Sequence, residues 1–326
     1  MKPEAQEKLK TINSNNLLEA IKSKYILLKI FDYLQKGKSL KLIKYNKNIQ
    51  NKIEININDY IKFYEIYSPI EIHIIPIKNK SGKFINIEEK NKKYYHIYFN
   101  NNTKEEIKRT YLNKNEKVLK IRIIIDYQVK SFHGLFWGCR CIESIYFKTF
   151  YRNNIINMSR MFCECKSLKK INFKNFNSNN VTDMSFMFNL CKSLKKLNLN
   201  SFNTSKVTNM FGMFRGCKSL KEINLNSFNT SRVEDMRNMF SRCESLKELN
   251  LNHFNTNRIN DISGMFYDCW SLKELNINSF NPNIVTVMEG AFYHCSHNLK
   301  IISQFSKFQD KAFEEDNYEY YNFYYV

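Results

Sequence analysis

Apolar positions in the second half of the chain return in phase. The Phe of each Met-Phe pair, or its equivalent, falls at Phe136, Phe162, Phe188, Phe214, Phe240, Phe266 and Phe292, always 26 residues apart. Cys139, Cys165, Cys191, Cys217, Cys243, Cys269 and Cys295 keep the same interval, as do the columns headed by Phe150 and Leu168. One fixed period over so many columns predicts a solenoid, in which each unit is one supersecondary element stacked on the next. Within a unit, Leu194, Leu197 and Leu199 spell LxxLxL. The last two leucines share a side because strand side chains alternate with period 2, which predicts a short strand. Asn203, Thr204 and Ser205 then predict a turn. Val207, Met210, Met213 and Phe214 follow at offsets 0, 3, 6 and 7, a spacing that predicts a short helix with one apolar face. Ser231 and Glu234 complete an S-x-x-E capping box where such a helix would begin.

A single unit cannot stand alone. About nine buried positions at roughly 2 kcal/mol each face the ordering of a whole repeat at roughly 1 to 2 kcal/mol per residue. Stacking is therefore required, and the ends need caps. Val129, Phe132, Leu135 and Phe136 already occupy the helix columns, and KIRIIID at Lys120 to Asp126 is expected to carry the first strand. At the other end CSHNLK gains one residue over CKSLK, Ile301 and Ile302 follow, and the chain passes into FEEDNYEYYNFYYV, an aromatic and acidic tail.

The first part of the chain lacks the period. Asn16 to Ile53 reads as helical, with Leu27, Leu28, Ile30, Phe31 and Leu34 on one side. IEIHIIPI from Ile70, KFINI from Lys83 and YYHIYFN from Tyr94 read as strands between polar turns. The expected organisation is a helical segment over 1–55, a β-rich domain or cap over 56–118, the solenoid over 119–302 and the tail over 303–326. The fold class is α/β, a right-handed solenoid of strand plus short helix preceded by a small α+β region.

The repeats, for example FNTSKVTNMFGMFRGCKSLKEINLNSFNTSRVEDMRNMF, resemble the BspA-like leucine-rich repeats, the bacterial surface protein 26-residue repeat. The resemblance covers roughly residues 124 to 302. It implies a right-handed α/β solenoid, a surface-protein setting in bacteria and protists, binding of host or extracellular partners, and no catalytic residue. Bacterial members usually carry an export signal or anchor, which this sequence does not show. A second stretch, ILLKIFDYLQKGKSLKLIKYNKNIQNKI at Ile26 to Ile53, resembles an F-box, which would make Ile30, Phe31 and Leu34 the contacts of a ubiquitin-ligase substrate adaptor. It departs from that pattern in its opening, Ser23, Lys24 and Tyr25 replacing Leu-Pro, and in lacking the late Trp.

Composition narrows the function. The formal charge is +20, with 51 Lys and Arg against 31 Asp and Glu. Residues 1–130 hold 27 basic and 14 acidic groups, the remainder 24 and 17. Heavy use of Lys, Asn, Ile, Tyr and Phe is also what an AT-rich genome imposes. No compact Lys/Arg block with interleaved aromatics marks a nucleic-acid groove, so nucleic acid is not the expected partner. The seven-residue run Tyr25 to Phe31, interrupted by Lys29, falls far short of the roughly 20 needed for a membrane span. With no secretory signal in the opening residues, nine cysteines are expected as reduced thiols in a cytoplasmic setting, the surface setting following only from the family resemblance.

The in-phase thiols lack the paired C-x2-4-C spacing of a zinc site and are expected to be buried small side chains. The six histidines form no catalytic motif with acids, so no enzyme, metal or cofactor is expected. The candidate site is instead the polar concave sheet face. Asn172, Asn198, Asn224, Asn250 and Asn276 sit between the inward residues of each strand, where their amides are expected to bond to one another along the stack. The column before them, Lys170, Lys196, Glu222, Glu248 and Glu274, changes sign midway. A protein partner bound by a monomer through these two columns is the expected function.

Overall fold

The computed structural model describes residues 21–24, 26–27, 46–54, 57–100, 102, 104–174 and 176–308. Ile30, Phe31 and Leu34, the contacts expected of an F-box, lie outside the described residues, as does the tail beyond 308. The chain divides into two units, 1–68 and 69–326. In the first, α1 (Lys47–Lys52) is capped by Asn46, whose Oδ1 accepts the Ile49 amide at 3.0 Å, and α2 spans Ile57–Tyr67.

The second unit begins with β1 (Ile70–Pro76), β2 (Gly82–Lys83), a 3-10 helix (Glu89–Tyr94), β3 (Tyr95–Phe99), β4 (Tyr111–Leu112) and β5 (Ile121–Ile125). The repeat strands follow as β6 (Ile142–Thr149), β7 (Lys170–Asn172), β8 (Lys196–Asn198), β9 (Glu222–Asn224), β10 (Glu248–Asn250), β11 (Glu274–Asn276) and β12 (Lys300–Ile302). Five strands form one sheet in the order β3-β5-β1-β6-β7. β1 pairs antiparallel with both β5 and β6, whereas β6 pairs parallel with β7. The lysine-led segment expected to carry the first repeat strand is thus β5, a strand of the antiparallel portion, and β6 is the first strand of the stack. β1 wedges between them because its alternating Ile70, Ile72 and Ile74 bury on the same core as Ile121, Ile123 and Ile125. That core runs without a break from Ile70 to Phe308.

The segment read as a short helix is a run of turns. In each coil three amides of this run reach back three residues, Met187 to the Met184 carbonyl, Asn189 to Phe186 and Cys191 to Phe188 in one coil, Met213 to Met210, Arg215 to Gly212 and Cys217 to Phe214 in the next. The amides between them cross to the following coil: Phe186 to Phe211, Phe188 to Met213, Leu190 to Arg215, all at 2.7–2.8 Å. A helix is excluded by space. Coils hydrogen-bonded to one another sit about 4.8 Å apart, whereas packed helices need about 8 to 10 Å between axes. The offsets 0, 3 and 6 suit successive i to i+3 turns as well as a helix, which is why the pattern pointed to the wrong element. Ser231 and Glu234 accordingly cap no helix; the Ser231 amide instead donates to Asn229 Oδ1 at 3.0 Å.

The first and last of these back-bonded turns have a left-handed third residue, as in a type II turn. The two positions are Phe186 (φ 54°) and Leu190 (φ 58°) in one coil, Gly212 (φ 56°) and Gly216 (φ 70°) in the next. Six of the eight glycines, Gly134, Gly138, Gly212, Gly216, Gly264 and Gly290, occupy these two columns. Inside, the Phe column stacks face to face, with centroids 5.5 Å apart for Phe162–Phe188, 5.6 Å for Phe188–Phe214 and 5.5 Å for Phe214–Phe240. Such pairs add about 0.5–1.5 kcal/mol each beyond their buried area.

Candidate functional site: the strand face

Both predicted columns are on the surface. Lys170, Asn172, Lys196, Asn198, Glu222, Asn224, Glu248, Asn250 and Glu274 are exposed, and Asn276 is half-buried. Their register is strict, Lys196 opposite Glu222 and Asn198 opposite Asn224 on one pair, Glu248 opposite Glu274 and Asn250 opposite Asn276 on another.

The amides do not bond along the stack as the sequence suggested. Each Asn Oδ1 accepts the backbone N–H two residues on: Lys174 at 2.9 Å for Asn172, Asn200 at 3.0 Å for Asn198, Asn226 at 2.9 Å for Asn224, Asn252 at 3.1 Å for Asn250 and Asn278 at 3.2 Å for Asn276. This is the Asx turn, which ends the three-residue strand and bends the chain away. Two further Asx turns recur in each coil, as at Asn203 accepting Ser205 and Asn209 accepting Phe211. Three local turns per coil account for much of the asparagine content. On the strand face, moreover, each Asn Oδ1 is engaged within its own loop rather than with the next coil.

A file that sequence reasoning left unassigned lies beside these columns. Lys169, Lys195, Lys221, Lys247 and Lys273 are all exposed, one per coil. Their 26-residue spacing is visible in the sequence, but no burial requirement calls attention to it. Lys169 pairs with Glu143 at 2.8 Å, and in the neighbouring column Lys196 pairs with Glu222 at 3.1 Å. Lys195, Lys221, Lys247 and Lys273 make no ion pair among the described residues.

The same surface continues over the antiparallel strands. Tyr98 lies opposite Arg122, Arg122 opposite His73, His73 opposite Tyr146 and Tyr146 opposite Asn172. Glu71 Oε1 ties this row together, 2.8 Å from Arg122 Nε and 2.7 Å from His73 Nε2. Burial works to raise Glu71, but the hydrogen bonds and charges of Arg122 and His73 outweigh it and hold the carboxyl below its usual value. Burial, assisted by Lys120 and Lys148, depresses His73 despite its bond to Glu71. These residues lie on segments about 50 and 75 positions apart, and nothing periodic connects them in the sequence.

The cysteine file is structural. Cys191 Sγ donates to the Phe162 carbonyl at 3.1 Å, Cys217 to Phe188 at 3.2 Å and Cys243 to Phe214 at 3.2 Å. Each of these carbonyls also accepts the amide three residues on, so both its lone pairs are used. Burial pushes the Cys217 and Cys295 thiols up to about 12. No cluster of three or more His, Cys, Asp or Glu suited to a metal occurs among the described residues. His253, in a column otherwise held by Ser201, Ser227 and Ser279, places Nε2 2.9 Å from the Leu225 carbonyl, the same link those serines make to the coil before. No helix among the described residues is long and apolar enough to cross a membrane.

This turn-linked stack is the region that matches a known family. The profile described as "Mycoplasma protein of unknown function, DUF285" matches residues 130–224 and again 213–316, together more than half of the chain. The chain belongs to the DUF285 family. Its two matches overlap at residues 213–224 and together span the repeat strands β6 to β12. No curated protein matches this DUF285 chain. Among solved structures, a Treponema pallidum leucine-rich repeat protein, "T. pallidum Leucine Rich Repeat protein (TpLRR)", aligns at 20% identity with a TM-score of 0.28, over 54% of this chain and 62% of that one.

Proposed function

We propose that this DUF285 solenoid is a non-enzymatic interaction module that binds a protein partner through its strand face, using Lys170, Asn172, Lys196, Asn198, Glu222, Asn224, Glu248, Asn250, Glu274 and Asn276. The supporting observation is the separation of roles within each coil. Nine of the ten residues that flank the inward strand position are exposed, Asn276 being half-buried, and the turn side carries backbone bonds between coils in addition to those of the strands. A stack of this kind presents a regularly spaced polar surface, which repeat proteins commonly use for binding.

The Asx turns dictate how the face is tested. Replacing Asn224 or Asn250 would remove a turn acceptor as well as a surface group. Glu222→Arg with Glu248→Arg changes only outward side chains. Capture of the cellular partner by the full chain should rise in this double variant if the partner is acidic and fall if it is basic, with the melting temperature unchanged. Unchanged capture would move the site off this face.

A further inference from the structure

The two ends of the strand face differ in charge. On β9, β10 and β11, Lys221, Lys247 and Lys273 are matched one for one by Glu222, Glu248 and Glu274. On β7 and β8 the same positions hold Lys169, Lys170, Lys195 and Lys196 and no acid, and Lys174 follows at the exit of β7. Tyr146 extends this end onto β6, with the Lys170 ammonium 5.8 Å from its ring centroid. On this face the lysines without a neighbouring acid in their own coil are therefore those of β7 and β8, where the stack meets the antiparallel strands.

The hydrogen-bonding character is also one-sided. A lysine ammonium only donates, and an Asn normally offers both a donor and an acceptor. Asn172 and Asn198 each engage Oδ1 with the amide of Lys174 or Asn200, while both N–H donors of Nδ2 have no partner among the described residues. Glu143 on β6 is taken by Lys169 at 2.8 Å, Glu222 by Lys196 at 3.1 Å, and Glu71 by Arg122 and His73, which leaves Lys170 and Lys195 as the lysines of these two strands without an ion pair among the described residues. A surface of positive donors with its acceptors already engaged selects a negative ligand made of acceptors, and carboxylates have that chemistry.

From this we infer that the partner of the strand face presents an acidic segment, rich in Asp or Glu, which seats on β6 to β8 around Tyr146, Lys170, Lys195 and Asn172. The inference rests on the binding-face reading above and adds the class of partner and the end of the face it uses. A carboxylate segment fits better than a nucleic acid. The basic area spans only three strands at about 4.8 Å spacing, and it has one aromatic, Tyr146, where base stacking needs a succession of them.

The test uses the full chain and three labelled probes: a ten-residue glutamate peptide, a ten-residue lysine peptide and a ten-nucleotide thymidine strand. The glutamate peptide should bind at low salt and weaken steeply as salt rises, because exposed charges are screened within about 10 Å at 0.1 M. The lysine peptide should not bind, and binding as tight as that of the glutamate peptide overturns the inference. Lys170→Glu with Lys195→Glu should weaken the glutamate peptide about tenfold, the combined effect of reversing two charges that face several carboxylates. Lys247→Glu with Lys273→Glu changes the net charge equally and should weaken it less than about threefold, since each exposed pair contributes little. No binding at low salt, or equal weakening in the two variants, overturns the inference. Tighter binding of the thymidine strand, abolished by the same lysine changes, assigns the site to phosphates instead. If the glutamate peptide fails while Glu222→Arg with Glu248→Arg lowers partner capture, the face binds a partner of other chemistry. If both fail, the binding-face reading falls with it.

Discussion

Each coil has a strand side and a turn side, and they tolerate change very differently. On the strand side three residues pair with their neighbours, and the outward side chains make occasional ion pairs and, at the asparagines, one bond to the amide two residues on. On the turn side the backbone itself bonds alternately within the coil and to the next one, with two left-handed residues per coil. The lesson is that the 26-residue period is enforced by backbone geometry on one side and merely permitted on the other. Residues repeated where nothing structural demands them, such as the lysine file, are therefore where binding is to be sought.

The sharpest way to break the turn side is to add one methyl group. A Cβ on Gly212 would come within 2.8 Å of the Phe186 ring and would sit on a residue at φ 56°. Left-handed backbone costs an L-residue about 1–2 kcal/mol, and overpacking typically adds about 1–3 kcal/mol. Gly212→Ala should thus destabilise by about 2–5 kcal/mol, measured by denaturant unfolding. Combining it with Phe186→Ala should recover no more than the overpacking share, because the introduced alanine keeps its left-handed strain. A loss of under about 0.5 kcal/mol, the level of an ordinary surface change, would mean that the turn geometry is not what fixes the coil.

The cysteine file tests the inside of the same side. Cys217→Ala removes a thiol bonded to the Phe188 carbonyl, yet that carbonyl keeps the Cys191 amide. The cost should be about 1–2 kcal/mol, from a small cavity plus one weak bond. With the thiol pushed up to about 12, only about one in ten thousand is ionised at pH 8. Folded protein should therefore leave Cys217 unmodified by a soluble disulfide reagent, and unfolded protein should react fully. Rapid modification in the folded state would contradict the buried file.

The sequence exposed these features unequally. Period, strand positions and buried cysteines follow from side chains that must be apolar, so Leu197, Phe214 and Cys217 could be placed from spacing alone. The turn run could not, because Val207, Met210 and Met213 at three-residue intervals suit a helix and a chain of turns equally well. What separates the two is the 4.8 Å stacking limit and the glycines at 212 and 216, a tertiary and a backbone constraint. The candidate columns were legible as surface, but the use of Asn Oδ1 was not. Asx bonding is local yet depends on where the strand ends, which no alternation of leucines reveals. The row Arg122, His73 and Tyr146 was not legible at all, since only the antiparallel insertion of β1 brings it together.

The smallest expected effects separate the two functions of the strand side itself. Asn224 serves the fold through its bond to the Asn226 amide at 2.9 Å, whereas Lys221, three positions earlier, makes no ion pair among the described residues. Asn224→Ala should cost about 0.5–1.5 kcal/mol, the net value of a hydrogen bond of this kind, and Lys221→Ala should stay within about 0.5 kcal/mol of the parent. Parallel denaturant melts of the two variants give the comparison directly. If Lys221→Ala proved as costly as Asn224→Ala, the lysine file would be part of the scaffold, and its repetition would carry no information about a partner. If the two differ as expected, the asparagines are explained by the turn they close. The lysines are then the repeated feature of this face that stability does not explain, and that places the basic end on β7 and β8 first in line for mutational mapping of partner contacts.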